Sequence, residues 1–396
     1  VKADPKGVLT GVHELNGNQA CAEGALAAGC RFLGLYPIMP ALEVSKRFLQ
    51  RAPAVGATFI QMEDEISALA AVLGASWTGK RSMTVTSGPG LSLMMEHLGL
   101  GVMLETPCVI VDVQGVGPGL GLPIHAAQGD VMQSRWGSHG DYETITLAPS
   151  SPQEMFDYTI RAFNLSERFR VPIILLSDAY LAHLQEKVTI PEAEKIDITP
   201  RRYFQGDTDK YLPFKRDDDL VPPMVKIGDG YRFHVTGLTH DDRGYPIMFE
   251  ECQEYNVHPL VNKIRDYTEE IIEFEEKDID DAEIIIVAYG TTARPSRKAQ
   301  EIARGQGMKV GILKLATVWP FPEKRIFELA KKAKAFIMPE MNTGQVVFEL
   351  ERCSGGRANV IYLPHGEKGI ENSDAILAAT KKAEQIVEIK NKIIEL

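Results

Sequence analysis

The chain has 396 residues, 44% of them hydrophobic and 24% charged, and a net charge of −11. That length exceeds the roughly 250 to 300 residues at which single cores stop growing and predicts two domains, while the acidic balance argues against nucleic acid or anionic membrane as a partner. No apolar run approaches the roughly 18 to 20 residues of a membrane helix, and the opening VKADPKGVLT lacks signal-peptide features, so a cytoplasmic location is expected.

From Asn18 to about Ser177, short apolar runs alternate with helical patterns, the signature of a parallel sheet covered by helices. Residues 31–35, 58–61, 82–86, 108–113 and 172–176 read as strands, being β-branched or bulky and bounded by Gly, Pro or Ser. Residues 65–76 and 152–169 carry helical spacing. From about 190 to 267 the text turns to clustered Pro, Asp, Arg and Gly and predicts an irregular connection. The α/β pattern then resumes with a strand at 283–289, a Gly-Thr-Thr turn, a helix at 295–304 and a strand at 309–314. The expected organisation is a parallel-sheet domain at 1–189, a connecting segment at 190–270 and a smaller α/β domain at 271–396, with no internal repeat of 20 to 50 residues.

Glu63, Asp64 and Glu65 stand where a strand becomes a helix, a position whose backbone N–H groups favour negative charge. Ordinary helix-start acidity explains Glu63 and Asp64. Glu65 differs, because Ile66, Ala68, Leu69, Ala70 and Ala71 surround it, and a carboxyl in apolar surroundings has its pKa raised. Two prolines in Gly34-Leu-Tyr-Pro-Ile-Met-Pro40 stiffen a turn at a strand's carboxyl end, where open α/β sheets bind ligands. Thr84-Val-Thr-Ser-Gly-Pro-Gly90 is a strand entering a Gly-rich turn and a helix, a shape that lets backbone approach a ligand closely.

Other signals are weaker. The five cysteines (21, 30, 108, 252 and 353) form no close pair, so neither zinc nor an iron–sulfur cluster has a local ligand set, and no metal site is expected. Gly115-Val-Gly-Pro-Gly-Leu-Gly121 has the wrong spacing for a dinucleotide fingerprint and is expected to be a flexible active-site loop. His125 and His139 lie near it, each with a plain solvated-loop alternative. Gly228-Asp-Gly230 with Asn256 imitates a magnesium–diphosphate motif, but the Pro- and Asp-rich setting around it argues against a buried strand end.

Taken in order, Ala22-Glu23-Gly24-Ala25, Tyr36-Pro37-Ile38, Gln61-Met-Glu-Asp-Glu65, Thr86-Ser-Gly-Pro-Gly90, Glu105-Thr-Pro107, Ala127-Gln-Gly-Asp130, Trp136-Gly-Ser-His139-Gly-Asp141 and His234-Val-Thr-Gly-Leu-Thr-His240 resemble the alpha subunit of 2-oxoacid:ferredoxin oxidoreductases, closest to the 2-oxoglutarate type. The resemblance covers nearly the whole chain. It implies a pyrimidine-type thiamine-diphosphate domain followed by a transketolase-like C-terminal domain, and oxidative decarboxylation of a 2-oxoacid to its acyl-CoA. Tyr36, Pro37, Ile38, Ser87, Gly88 and Pro89 would then face the cofactor. Glu65 matches the glutamate that hydrogen-bonds the aminopyrimidine ring, and Met39, Gly115 and His139 fall at the substrate.

The same resemblance places the diphosphate half-site, Mg2+ and a [4Fe–4S] cluster on partner subunits. It implies a beta subunit, gamma and ferredoxin-like delta subunits, ferredoxin as electron acceptor and coenzyme A as co-substrate. Two departures bear on the substrate. Met39 replaces the usual Thr, and Gly115 the usual Arg; a lost charged hydrogen bond is worth about 1.5 to 3 kcal/mol. A larger, less polar pocket would suit an aromatic (phenylglyoxylate-like) or branched-chain 2-oxoacid, with Arg135 or the partner supplying a cation. A cofactor-holding scaffold without turnover is the alternative from another class. The turns at 290–294 and 339–344 could face coenzyme A or be plain structure.

Overall fold

The computed structural model describes residues 1–364 and 373–394. β1 (Gly11–Asn16) ends on Asn16, which caps α1 (Gly17–Ala27) by accepting from the Gln19 N–H, while the Gln19 side chain accepts from the Asn16 N–H. β2 (Cys30–Leu35), α2 (Leu42–Val55), β3 (Thr58–Gln61), α3 (Glu65–Trp77), β4 (Arg81–Thr86) and α4 (Gly88–Met103) follow as strand–helix units. β5 (Cys108–Val116) turns back into β6 (Leu122–Ala126), and α5 (Val131–Trp136), β7 (Ile145–Leu147), α6 (Pro152–Phe169) and β8 (Pro172–Asp178) complete the layer. After α7 (Ala179–His183), β9 (Gln185–Ile190) pairs antiparallel with β1.

The main strands lie in the order β7-β8-β5-β4-β2-β3, all parallel. Cys108 to Gln114 of β5 are all buried, as a strand covered on both faces requires. The chain leaves β2 toward β3 but leaves β4 toward β5, so the two neighbours β2 and β4 send their connections in opposite directions. That divergence opens a crevice at their carboxyl ends, where ligands bind in sheets of this kind.

Two expectations are corrected. The stretch 115–121 is loop only in part: β5 continues through Gly115 and Val116, which pair antiparallel with Ala126 and Leu122 of β6, and residues 117–121 form the exposed turn between the two strands. The segment 190–270 is not irregular throughout, because it ends in a 16-residue helix, α8 (Glu250–Arg265), and the short α9 (Thr268–Ile271). Its irregular part is fastened by buried arginines, which give backbone carbonyls the partners that secondary structure would have provided. Arg170 donates to the carbonyls of Glu105, Pro213 and Pro222. Glu105, wholly buried just beyond α4, receives Lys263 from α8 at 2.9 Å and Arg216 at 3.2 Å.

The C-terminal part forms a second sheet in the order β10-β12-β11-β14-β15, made by β10 (Phe274–Lys277), β11 (Ile284–Tyr289), β12 (Val310–Leu315), β14 (Ala335–Glu340) and β15 (Asn359–Pro364). Its helices are α10 (Ala293–Gly305), α11 (Glu323–Ala330), α12 (Val346–Ser354) and α13 (Ser373–Ile394). β13 (Thr317–Trp319) leaves this unit and pairs antiparallel with β7, at the edge of the first sheet. Among the described residues no helix is long and apolar enough to cross a membrane.

Candidate functional site

The crevice is walled by two turns. The β2 turn carries Tyr36, Pro37, Ile38 and Met39, with Tyr36 and Met39 exposed, and a buried Asn18 amide fixes it by donating to the Pro40 carbonyl at 2.8 Å. The β4 turn carries Ser87, Gly88 and Pro89, where Ser87 is the buried N-cap of α4 and proline sits in the first helical turn, a place where its missing N–H costs nothing.

Glu65 joins them from the start of α3. The three neighbouring carboxylates have separate fates: Glu63 is exposed, and Asp64 caps α3 by accepting from Ser67 N and Oγ, both at 2.7 Å. Glu65 is 5% exposed. Burial pushes its carboxyl above the ordinary range, the Asp64 charge adds to this, and a hydrogen bond with its own backbone N–H opposes it. The Ser67 bonds hold Asp64 low. A Cβ on Gly90 would fall 2.1 Å from Thr86 Oγ1 and 2.6 Å from Glu65 Oε1, so only glycine lets the first turn of α4 close over this carboxyl. The crevice therefore holds a shielded carboxyl that burial makes a weaker acid than usual, flanked by two stiffened turns, and this setting suits the aminopyrimidine of a thiamine cofactor.

Gly115 is placed by packing. A Cβ there would meet the Pro123 backbone at 2.9 Å, so the room an arginine stem would need is filled by β6. The expected enlargement of the pocket at this position is not found. Arg135 is engaged elsewhere, paired with Glu143 at 2.7 Å and stacked over the Trp136 ring at 4.0 Å. His139 is exposed and lines a separate cleft with Gly99, Leu100, Thr236 and Thr239, about 16 Å along α4 from Gly88 at 1.5 Å per residue. The structure does not bring it to Glu65.

Asn256 does not meet the Gly228-Asp-Gly230 turn; its amide group bonds the backbone N–H and carbonyl of His240 at 2.8 and 3.1 Å. The C-terminal turns face the first domain. Thr291 donates to Asp178 at 2.6 Å, and Gln128 both donates to the Tyr289 carbonyl and accepts from Met341 N–H. Sequence reasoning missed Asp112 and Asp130, two carboxyls set together beside Gly88; the signal was an aspartate inside the apolar run Val109-Ile-Val-Asp-Val113.

With this geometry in view, the comparisons define a class. Residues 23–256 match the family described as "Pyruvate flavodoxin/ferredoxin oxidoreductase, thiamine diP-bdg", and residues 282–370 match "Pyruvate:ferredoxin oxidoreductase core domain II". The chain belongs to this family.

Within it, the chain is 47% identical to the 2-oxoglutarate synthase subunit KorA of Methanothermobacter marburgensis, over 93% of this chain and 98% of that one. It is 39% identical to the ketoisovalerate oxidoreductase subunit VorB of Methanothermobacter thermautotrophicus, over 91% and 95%. A solved 2-oxoglutarate:ferredoxin oxidoreductase from Magnetococcus marinus, with 2-oxoglutarate, coenzyme A and succinyl-CoA bound, superposes with a TM-score of 0.88 at 32% identity, covering 94% of this chain and 65% of that one. The relatives are named as subunits, and this chain is likewise an alpha-type subunit of a multi-subunit oxidoreductase.

Proposed function

We propose that the chain supplies the aminopyrimidine half of a thiamine-diphosphate site and, with a partner beta subunit, oxidatively decarboxylates 2-oxoglutarate to its CoA thioester, passing electrons to ferredoxin. The observation that carries this reading is the Glu65 carboxyl, buried against Gly90 and Thr86 in the crevice between β2 and β4. Thiamine diphosphate, when bound, supplies the carbon centre that cleaves the bond between a 2-oxoacid's carbonyl and carboxylate carbons.

Glu65 would hold a proton against the ring nitrogen, and its burial, which raises its pKa, favours the protonated form that this role uses. Tyr36, Pro37 and Ile38 would bound one side of the ring, and Ser87, Gly88 and Pro89 the other. Met39, exposed on the β2 turn, would face the substrate. The diphosphate, Mg2+ and the [4Fe–4S] cluster are assigned to the beta subunit, with gamma and ferredoxin-like delta subunits completing the complex. His139, away from the crevice, keeps only an indirect part in this scheme.

A second reading takes a branched-chain 2-oxoacid as substrate. The thioether of Met39 at the mouth favours it, as does the likeness to a ketoisovalerate subunit. The test is viologen reduction by the assembled complex with 2-oxoglutarate, branched-chain and aromatic 2-oxoacids. The first reading expects the highest kcat/KM with 2-oxoglutarate. A higher value with a branched-chain acid moves the assignment to the second, and no turnover with any acid despite bound cofactor leaves a scaffold.

A further inference from the structure

Asp112 points from β5 and is wholly buried, while Asp130 stands immediately before α5. Their side chains are within hydrogen-bonding reach of each other. Neither Asp112 oxygen has another partner, and Asp130 Oδ2 is equally sealed and unpaired. Burial pushes both carboxyls up, and Asp130 raises Asp112 further. No lysine, arginine or histidine enters the balance at either group.

Two ionised carboxylates in such a place would repel each other and leave three buried acceptors empty. One proton removes both faults, since an O–H donor on one acid bonds the other as a charge-assisted pair. A metal ion is poorly served here: among the described residues no third His, Cys, Asp or Glu ligand joins the pair, and the adjoining N-terminus of α4 carries partial positive charge.

The pair also sits where it can transmit position. Asp130 Oδ2 lies 3.1 Å from where a Cβ on Gly88 would be, so this carboxyl backs the β4 turn. Its loop is held from two sides. Gln114 accepts from the Asp130 N–H at 3.0 Å and donates to the Ser177 carbonyl at 3.1 Å. From the C-terminal unit, Gln345 donates to the Gly129 carbonyl at 2.6 Å, and Asn342 to the Gln128 carbonyl at 2.7 Å.

We infer that Asp112 and Asp130 share one proton and act as positioning residues, pinning the Ser87–Gly88 turn to a loop that the C-terminal unit holds in place. The inference rests on the reading that this turn faces thiamine diphosphate. Asp130→Asn keeps the clamp, because its amide donates to the Asp112 carboxylate, whereas Asp130→Ala leaves Asp112 alone.

In the assembled complex, Asp130→Ala is expected to raise the Kd for thiamine diphosphate about tenfold or more, the effect of one lost charged hydrogen bond. Turnover at saturating cofactor should change far less, and Asp130→Asn should restore the Kd to within about threefold of the parent. A purely structural role predicts that the two variants fail alike. The parent-minus-Asp112→Asn infrared difference spectrum of the full chain at neutral pH should contain the carbonyl band of an un-ionised carboxylic acid. Carboxylate bands alone overturn the shared proton, and an unchanged Kd in Asp130→Ala overturns the clamp. A Glu65→Gln complex with parental turnover would instead sink the reading of the site, leaving the infrared result standing.

Discussion

The two ends of α4 treat buried carboxyls in opposite ways. Beyond its C-terminus, Glu105 is sealed from water but receives Lys263 and Arg216, with Arg170 close by; these charges overcome burial and hold the carboxyl below its usual range. Around its N-terminus, Glu65, Asp112 and Asp130 are pushed upward by burial, and no cation is paired with any of them. Burial alone thus does not set a charge state; the supply of cations does. The cation-paired end fastens the chain to itself, and the cation-free end keeps carboxyls that hold their protons more tightly than usual.

The sharpest way to break this contrast is Glu65→Gln. General acid–base roles are worth about 10²- to 10⁴-fold, so turnover of the assembled complex should fall within that range while assembly and cofactor binding persist; parental rates would remove Glu65 from the mechanism. At the other end, Lys263→Met should take from Glu105 its nearest cation, leave only Arg216 and Arg170 beside it, and cost about 3 to 5 kcal/mol, read from denaturant unfolding of the full chain. A loss below about 1 kcal/mol would mean that Arg216 and Arg170 suffice, as surface-like pairs would.

Asp178 tests the cation-free class by pH. Burial pushes its carboxyl up to about 6, against hydrogen bonds from Thr291, Leu181 and Tyr180. The folded chain holds this proton more tightly than the unfolded one, so the stabilisation is complete below 3.8 and is lost as pH rises through about 6. Asp178→Asn cannot titrate. The stability difference between variant and parent should shift in the variant's favour by about 3 kcal/mol across that window, and a pH-independent difference would contradict the shift.

Gly90→Ala is the mildest probe. Its methyl would press on Thr86 and Glu65, costing about 1 to 3 kcal/mol of stability and part of the turnover. Unchanged turnover would show that the Glu65 carboxyl has room to move.

Strands β2, β3, β4, β5 and β8 were legible because each is a short apolar run closed by Gly, Pro or Ser. Glu65 was legible because its helix is too apolar for a surface. Helix α8 was hidden: its buried residues are Asn256, Leu260, Val261, Lys263 and Ile264, of which Asn256 and Lys263 are polar, and the apolar ones are confined to its last turns, so hydrophobic periodicity does not register it. The Lys263–Glu105 pair spans 158 residues, a separation no local pattern reports. Gly115 was read as a lost arginine, whereas the close approach of Pro123 depends on a hairpin whose pairing only the folded backbone reveals.

The loan of β13 to the first sheet bears on any attempt to dissect the molecule. Thr317 and Trp319 cover the outer edge of β7, and the Trp319 indole donates to the Val131 carbonyl at 2.9 Å, at the start of the helix that follows Asp130. A fragment cut at the connecting segment would carry an uncovered strand edge, which is a template for self-association. The two family-matched segments are therefore separable as text but not as objects: truncation should yield aggregate from either half, and co-expressed halves should recover each other by strand exchange.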